Sequence, residues 1–152
     1  MGILLSDIFD PGSIRLDIES ADKEAAFAEL VDALAARRLP DFDPAEALAA
    51  IVARENRMST GIAPGVGIPH AFYGKADGIV GAIGVSRAGV EYDALDGKPV
   101  YAIFMLLIGE NAKGEHLPAL NQICALAQSE GLALLRDAKT PRDVGAILSR
   151  FG

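Results

Sequence analysis

The sequence predicts an α/β protein: a single-domain sandwich on a central mixed β-sheet of four or five strands, with helices on both faces. Three observations carry this reading. Apolar and polar residues alternate near the start of the chain, helical periodicity then appears twice, and a nearly unbroken apolar run, Val100 to Ile108, follows a second β-like run. At 152 residues the chain has the size of one domain and buries roughly two thirds of its unfolded surface, enough for a core without staples. Residues 1–152 are read as one unit, with no repeat, linker or low-complexity tract.

Ser13 to Ile18 alternates apolar and polar positions, as a strand with one buried face does. From Asp22, a suitable N-cap, Phe27, Leu30, Val31 and Leu34 recur at helical spacing until Arg37-Arg38, before Pro40. A second helix opens with Asp43 as cap and Pro44 as first helical residue, and its apolar face is Leu48, Ile51 and Val52. Arg54 falls in its last turn or just beyond. Ile79 to Ser86 is β-like, with small residues at Gly81, Ala82 and Gly84 where something must approach closely. Asp96-Gly97 has tight-turn chemistry. Val100 to Ile108 fits a strand buried on both faces. A third helix starts near Gly114 and carries Leu117, Leu120, Ile123, Cys124 and Ala127; Gly131 to Ala138 and Pro141 to Arg150 read as two more, the last capped by Thr140.

Composition narrows the function. Hydrophobic residues are 51% of the chain, yet none of their runs reaches the roughly 18 residues of a membrane span. The opening Met1 to Asp7 lacks a basic n-region and a long apolar stretch, so no signal peptide and no direct membrane insertion are expected. Gly2 with Ser6 nominally fits a myristoylation pattern, although Met-Gly is also a common start. A single cysteine, Cys124, makes no internal disulfide and reads as a packed, inert thiol on a helix face. The net charge of −7, with scattered basic residues, lacks the basic face that nucleic acid requires, and it suits a small basic protein partner better.

The chemistry concentrates in Ser59-Thr60-Gly61-Ile62-Ala63-Pro64-Gly65-Val66-Gly67-Ile68-Pro69-His70. This glycine-rich, hydroxyl-bearing stretch ends on one of only two histidines. Glycines let backbone N–H groups approach an anion, and a neutral imidazole is a competent nucleophile near pH 7. Pro69 fixes its own φ and biases Ile68 away from helix, which holds His70 in a rigid, strand-like position. A partly buried histidine tied to a backbone carbonyl is the competing reading. Arg54 offers a planar fork matched to phosphate oxygens, but a cation at a helix C-terminus is also structurally favourable. Ser59 and Thr60 are candidate hydroxyl donors to phosphate, although Ser-Thr before Gly is ordinary turn chemistry as well. No Gly-Lys-Ser/Thr follows the glycines, which excludes a P-loop. Two histidines and one cysteine lack zinc-site spacing, and there is no Gly-x-Ser-x-Gly elbow, so no metal and no cofactor are expected.

Three words in order carry a resemblance over nearly the whole chain, from Leu4-Leu5-Ser6-Asp7 to Ile147-Leu148. They are Arg54-Glu55 with Ser59-Thr60-Gly61-Ile62 and Gly67-Ile68-Pro69-His70; Tyr92-Asp93-Ala94-Leu95-Asp96-Gly97-Lys98-Pro99-Val100 running into Phe104-Met105-Leu106-Leu107; and Glu115-His116-Leu117-Pro118-Ala119-Leu120. With them the chain resembles the enzyme IIA component of the bacterial sugar phosphotransferase system, in its mannitol/fructose/nitrogen-regulatory class. The resemblance implies a cytoplasmic phosphotransferase component in which His70 takes a phosphoryl group from an HPr-like carrier and passes it to a IIB-type partner for sugar uptake. It assigns His116, at the start of the third helix, to the transferring phosphoryl oxygens. The alternative is a nitrogen-branch regulatory module whose phosphorylation state controls which proteins it binds, with no sugar involved. Ala71-Phe72-Tyr73 departs from the glycine that many members place after the histidine, which sets two aromatics beside the site as partner rim or as core.

Overall fold

The computed structural model describes residues 5–61 and 63–151. Gly2, Leu4 and Ile62, which the sequence motifs include, lie outside the described residues. The strands are β1 (Ile14–Arg15), β2 (Val66–Gly67), β3 (His70–Phe72), β4 (Ile79–Val90) and β5 (Val100–Ile108). The helices are α1 (Leu5–Ile8), α2 (Lys23–Ala35), α3 (Pro44–Glu55), α4 (His116–Gln128), α5 (Gly131–Asp137) and α6 (Pro141–Phe151).

The sheet is mixed and has five strands, as the sequence predicts. β4 and β5 form its antiparallel centre, β1 lies parallel to β4, and β2 and β3 both lie parallel to β5 along its other edge. Pro69 separates those two short edge strands because it has no N–H to give the ladder. The first strand is shorter than its alternation suggests: after Arg15 the pairing continues through single contacts, the Ile18 N–H bond to the Val85 carbonyl and a parallel bridge of Asp22 with Glu91. β4 runs longer than expected, to Val90, through a register shift after Val85.

Successive β5 side chains point to opposite faces, and each face has its own helical layer. Ala102, Phe104 and Leu106 join Leu5, Ala119, Ile123, Leu135 and Leu148 from α1, α4, α5 and α6. Ile103, Met105 and Leu107 join Phe27, Leu30, Leu34, Ala47 and Ile51 from α2 and α3. The small residues of β4 serve these layers. A Cβ on Gly81 would stand 2.5 Å from the Phe9 ring, and one on Gly84 would stand 3.0 Å from Leu30. Cys124 is partly buried against the first cluster.

The caps read from sequence form. Asp22 accepts the Ala25 N–H at 2.9 Å, and Asp43 accepts the Ala45 N–H at 3.0 Å with Pro44 beside it. α2 stops because Arg38 turns to a φ of 55°, a left-handed conformation. At α6, Thr140 accepts the Asp143 N–H at 3.2 Å while the Asp143 carboxylate accepts the Thr140 N–H at 3.1 Å, a reciprocal capping box. Among the described residues no helix is long and apolar enough to cross a membrane.

Candidate active site: a histidine pair at the sheet edge

His70 opens β3, where Leu106 N–H donates to the Pro69 carbonyl at 2.9 Å and fixes the strand against β5. Its Nδ1 lies 2.7 Å from the Ile68 carbonyl oxygen. A carbonyl can only accept, so Nδ1 carries the proton and Nε2 keeps the lone pair. The ring is tied to a backbone carbonyl, as the competing sequence reading has it, and the tie leaves the distal nitrogen bare. Burial is the main cause that pushes the His70 pKa below the usual 6.5. The Ile68 bond opposes this, the Arg54 and His116 charges add to it, and the Glu55 carboxylate pulls the other way. The net result is a neutral imidazole at pH 7.

His116 is the first residue of α4, and its ring centroid lies 6.4 Å from that of His70. Its Nδ1 accepts the Gly114 N–H at 3.3 Å, so in the neutral ring its Nε2 carries the proton. The two imidazoles thus hold opposite tautomers. Arg54, in the last turn of α3, lines the same cleft of about 470 Å³ with His70, His116, Arg57 and Phe72. Its Nη1 donates to the Met58 carbonyl at 3.1 Å, which anchors the guanidinium at the helix end. Helix-end anchoring and a place in the cleft hold together for this arginine.

The hydroxyls expected beside the phosphate are elsewhere. Thr60 is only 3% exposed, and its Oγ1 bonds Glu55 Oε1 at 2.6 Å and the Tyr92 hydroxyl at 2.8 Å. Ser59 Oγ accepts the Gly61 N–H at 3.2 Å, closing a local turn. Neither residue lines the cleft. The loop glycines also have a different employment from the anion approach read in the sequence. A Cβ on Gly61 would come within 2.9 Å of the Tyr92 ring, and one on Gly67 within 2.5 Å. Their missing side chains make room for Tyr92, a buried ring whose phenol burial and the nearby Glu55 hold in the protonated form.

Three residues were given no role in the sequence reading. Arg57 lines the cleft one turn beyond Arg54, and the i, i+3 spacing was the available signal. Glu55 is 5% exposed and paired with Lys23 at 3.1 Å, a long-range partnership that no local pattern announces. Lys113 stands 5.2 Å over the Phe72 ring. Phe72 belongs to the rim rather than the core: it is 54% exposed and meets His116 edge-on at 5.4 Å. Tyr73, its neighbour, is buried, and its hydroxyl accepts the Asp43 N–H at 2.9 Å.

Fold and cleft together define a mixed α/β sandwich with a histidine pair and two arginines converging at one sheet edge. The chain belongs to the family described as phosphoenolpyruvate-dependent sugar phosphotransferase system, EIIA 2, which matches residues 7–151. It is 37% identical over 124 residues, 82% of this chain and 80% of the relative, to a protein of Pseudomonas aeruginosa named nitrogen regulatory protein. It is 33% identical over 138 residues, 90% of this chain and 88% of the relative, to a Haloferax volcanii protein named PTS system fructose-specific EIIA component. The crystal structure of nitrogen regulatory protein IIA-Ntr from Neisseria meningitidis superposes with a TM-score of 0.86 at 34% identity, covering 95% of this chain and 98% of that one.

Proposed function

We propose that this protein is a cytoplasmic phosphohistidine relay in which His70 Nε2 accepts a phosphoryl group from an HPr-like, histidine-phosphorylated carrier and passes it to a IIB-type component. The observation that carries the proposal is the 2.7 Å contact of His70 Nδ1 with the Ile68 carbonyl, which leaves Nε2 unprotonated in a ring kept neutral by burial. In acceptance, the Nε2 lone pair forms a bond to phosphorus while the carrier's N–P bond breaks and its electron pair returns to the carrier's imidazole. The transition state is loose, so positioning and charge dominate the rate. His116 Nε2–H and the Arg54 guanidinium supply donors and positive charge to the phosphoryl oxygens. Onward transfer is the same step in reverse direction, with the IIB nucleophile attacking.

Two branches share this chemistry. The fructose-specific name of the Haloferax relative supports delivery to a sugar permease. The nitrogen-regulatory names of the Pseudomonas relative and of the Neisseria structure support a second reading, a protein-binding module switched by the phosphorylation state of His70. The test is incubation with phosphoenolpyruvate, enzyme I and an HPr-type carrier, followed by intact mass at neutral and acid pH. One acid-labile phosphate, absent in His70→Ala, is the expected result. Full incorporation in His70→Ala would sink the assignment. His116→Ala is expected to accept phosphate but to pass it on poorly.

A further inference from the structure

Behind the cleft lies a largely buried polar cluster, Glu55, Thr60, Tyr92 and Lys23, that does not line it. Glu55, the last residue of α3, uses both carboxylate oxygens: Oε1 accepts the Thr60 hydroxyl at 2.6 Å, and Oε2 accepts the Thr60 N–H at 2.8 Å and Lys23 Nζ at 3.1 Å. Because the carboxylate only accepts, the Thr60 hydroxyl donates to it and receives the Tyr92 O–H at 2.8 Å. Lys23 also lies 4.9 Å over the Tyr92 ring. Burying an ammonium–carboxylate pair costs desolvation that an apolar pair would avoid, so stability alone is a poor reason for it.

The cluster connects to both halves of the cleft. The Thr60 carbonyl accepts the Ile68 N–H at 3.1 Å, and the Ile68 carbonyl accepts His70 Nδ1–H at 2.7 Å. On the other side, Glu55 adjoins Arg54 in the chain. We infer that Glu55 is the positioning residue of this site: with Lys23 as counter-ion, its carboxylate clamps the end of α3 to the loop before His70 and sets where Arg54 stands relative to the imidazole. The inference rests on the relay reading for its kinetic consequence only; its structural consequence is readable in the unphosphorylated chain.

The charged and titratable groups around His70 are Arg54, Arg57 and His116 in the cleft and Glu55 behind it, with Lys23 beyond Glu55. Neutralising Glu55 removes the charge that favours imidazolium, and neutralising Lys23 leaves that charge uncompensated. The two variants therefore move His70 in opposite directions, whereas generic loosening moves it toward its unperturbed value in both.

The experiment uses the full chain and its Glu55→Gln and Lys23→Met variants. Long-range ¹H–¹⁵N spectra of the histidine rings read the tautomer and titration of His70, and a phosphorylated HPr-type carrier reads the rate of acceptance. In Glu55→Gln, His70 is expected to titrate lower, to lose its single Nδ1–H tautomer and to accept phosphate about tenfold to a hundredfold more slowly. In Lys23→Met it is expected to titrate higher and keep its tautomer. An unchanged His70 in a folded Glu55→Gln, or shifts of the same sign in both variants, overturns the inference. If Glu55→Gln does not fold, an unchanged titration in Lys23→Met overturns it. If the wild-type chain accepts no phosphate from any carrier, the relay reading fails, and the ring spectra still decide the role of Glu55.

Discussion

Adding one methyl group at Gly67 tests whether the loop glycines serve Tyr92. Gly67 has no left-handed φ, so alanine there meets only a steric objection. Its Cβ would lie 2.5 Å from Tyr92 Cζ and 2.8 Å from both Cε2 and the hydroxyl oxygen. The ring cannot easily yield: Phe27 packs on it edge-on at 5.8 Å, Lys23 covers it at 4.9 Å, and Thr60 holds its hydroxyl at 2.8 Å. Overpacking a site so enclosed costs about 2–3 kcal/mol. For a chain of this length that lowers Tm by about 4–12 °C. Gly145→Ala is the matched control, since nothing lies within 4 Å of its Cβ in α6, and it is expected to gain about 0.5–1 kcal/mol. Adding Tyr92→Leu to Gly67→Ala frees the space, so the double variant should be more stable than the sum of the singles by about 1 kcal/mol or more. Urea denaturation of the set supplies the cycle. A Gly67→Ala protein as stable as wild type, or strict additivity with Tyr92→Leu, would refute the steric account.

Three further outcomes are expected. Phe104→Ala empties a fully buried position that faces Phe9 edge-on at 5.6 Å, and should cost about 3–5 kcal/mol in chemical denaturation. Because burial lowers the His70 pKa, the unfolded chain binds more protons between 6.5 and the folded value, so this group's contribution to stability is complete above pH 6.5 and is lost as pH falls through the folded value. His70→Asn should flatten that part of the pH–stability curve, and identical slopes in the two proteins would contradict the assignment. Phe72→Ala, at an exposed rim position, should leave stability within about 0.5 kcal/mol while raising the carrier concentration needed for half-maximal phosphate acceptance.

The sheet and helix layers were legible because their signals are local. Asp22, Asp43 and Thr140 announce their helices within a few residues, and Val100 to Ile108 shows its two-sided burial in composition alone. His70 and its strand-like setting were legible through Pro69. The purpose of Gly61 and Gly67 was not, because the ring they accommodate arrives from the far end of β4, across the sheet. The surroundings of Thr60 were hidden for the same reason: its two hydroxyl partners, Glu55 and Tyr92, converge on it only in three dimensions. A hydroxyl beside glycines carries the same local signature whether it faces an anion or a buried carboxylate. The Glu55–Lys23 pair hid behind the expectation that such residues are solvated, and its members are 32 residues apart.

The two histidines are unequal, and the inequality bears on which of them takes the phosphoryl group in the proposed relay. His70 donates Nδ1–H to a carbonyl at 2.7 Å within a strand paired to the sheet centre, so its Nε2 lone pair is fixed in direction by rigid backbone on both sides. The carbonyl also raises the basicity of the ring it touches, partly offsetting burial. His116 receives a longer bond of 3.3 Å from Gly114, a residue at a φ of 92° just ahead of a helix whose N-cap has no side-chain bond. Its Nε2 presents a proton rather than a lone pair. A nucleophile needs a directed lone pair, and a stabiliser of developing oxygen charge needs a donor able to follow the oxygens as they move. The ring on β3 suits the first task and the ring at the start of α4 the second, which is why the proposed relay assigns acceptance to His70 and the steadying of the group to His116.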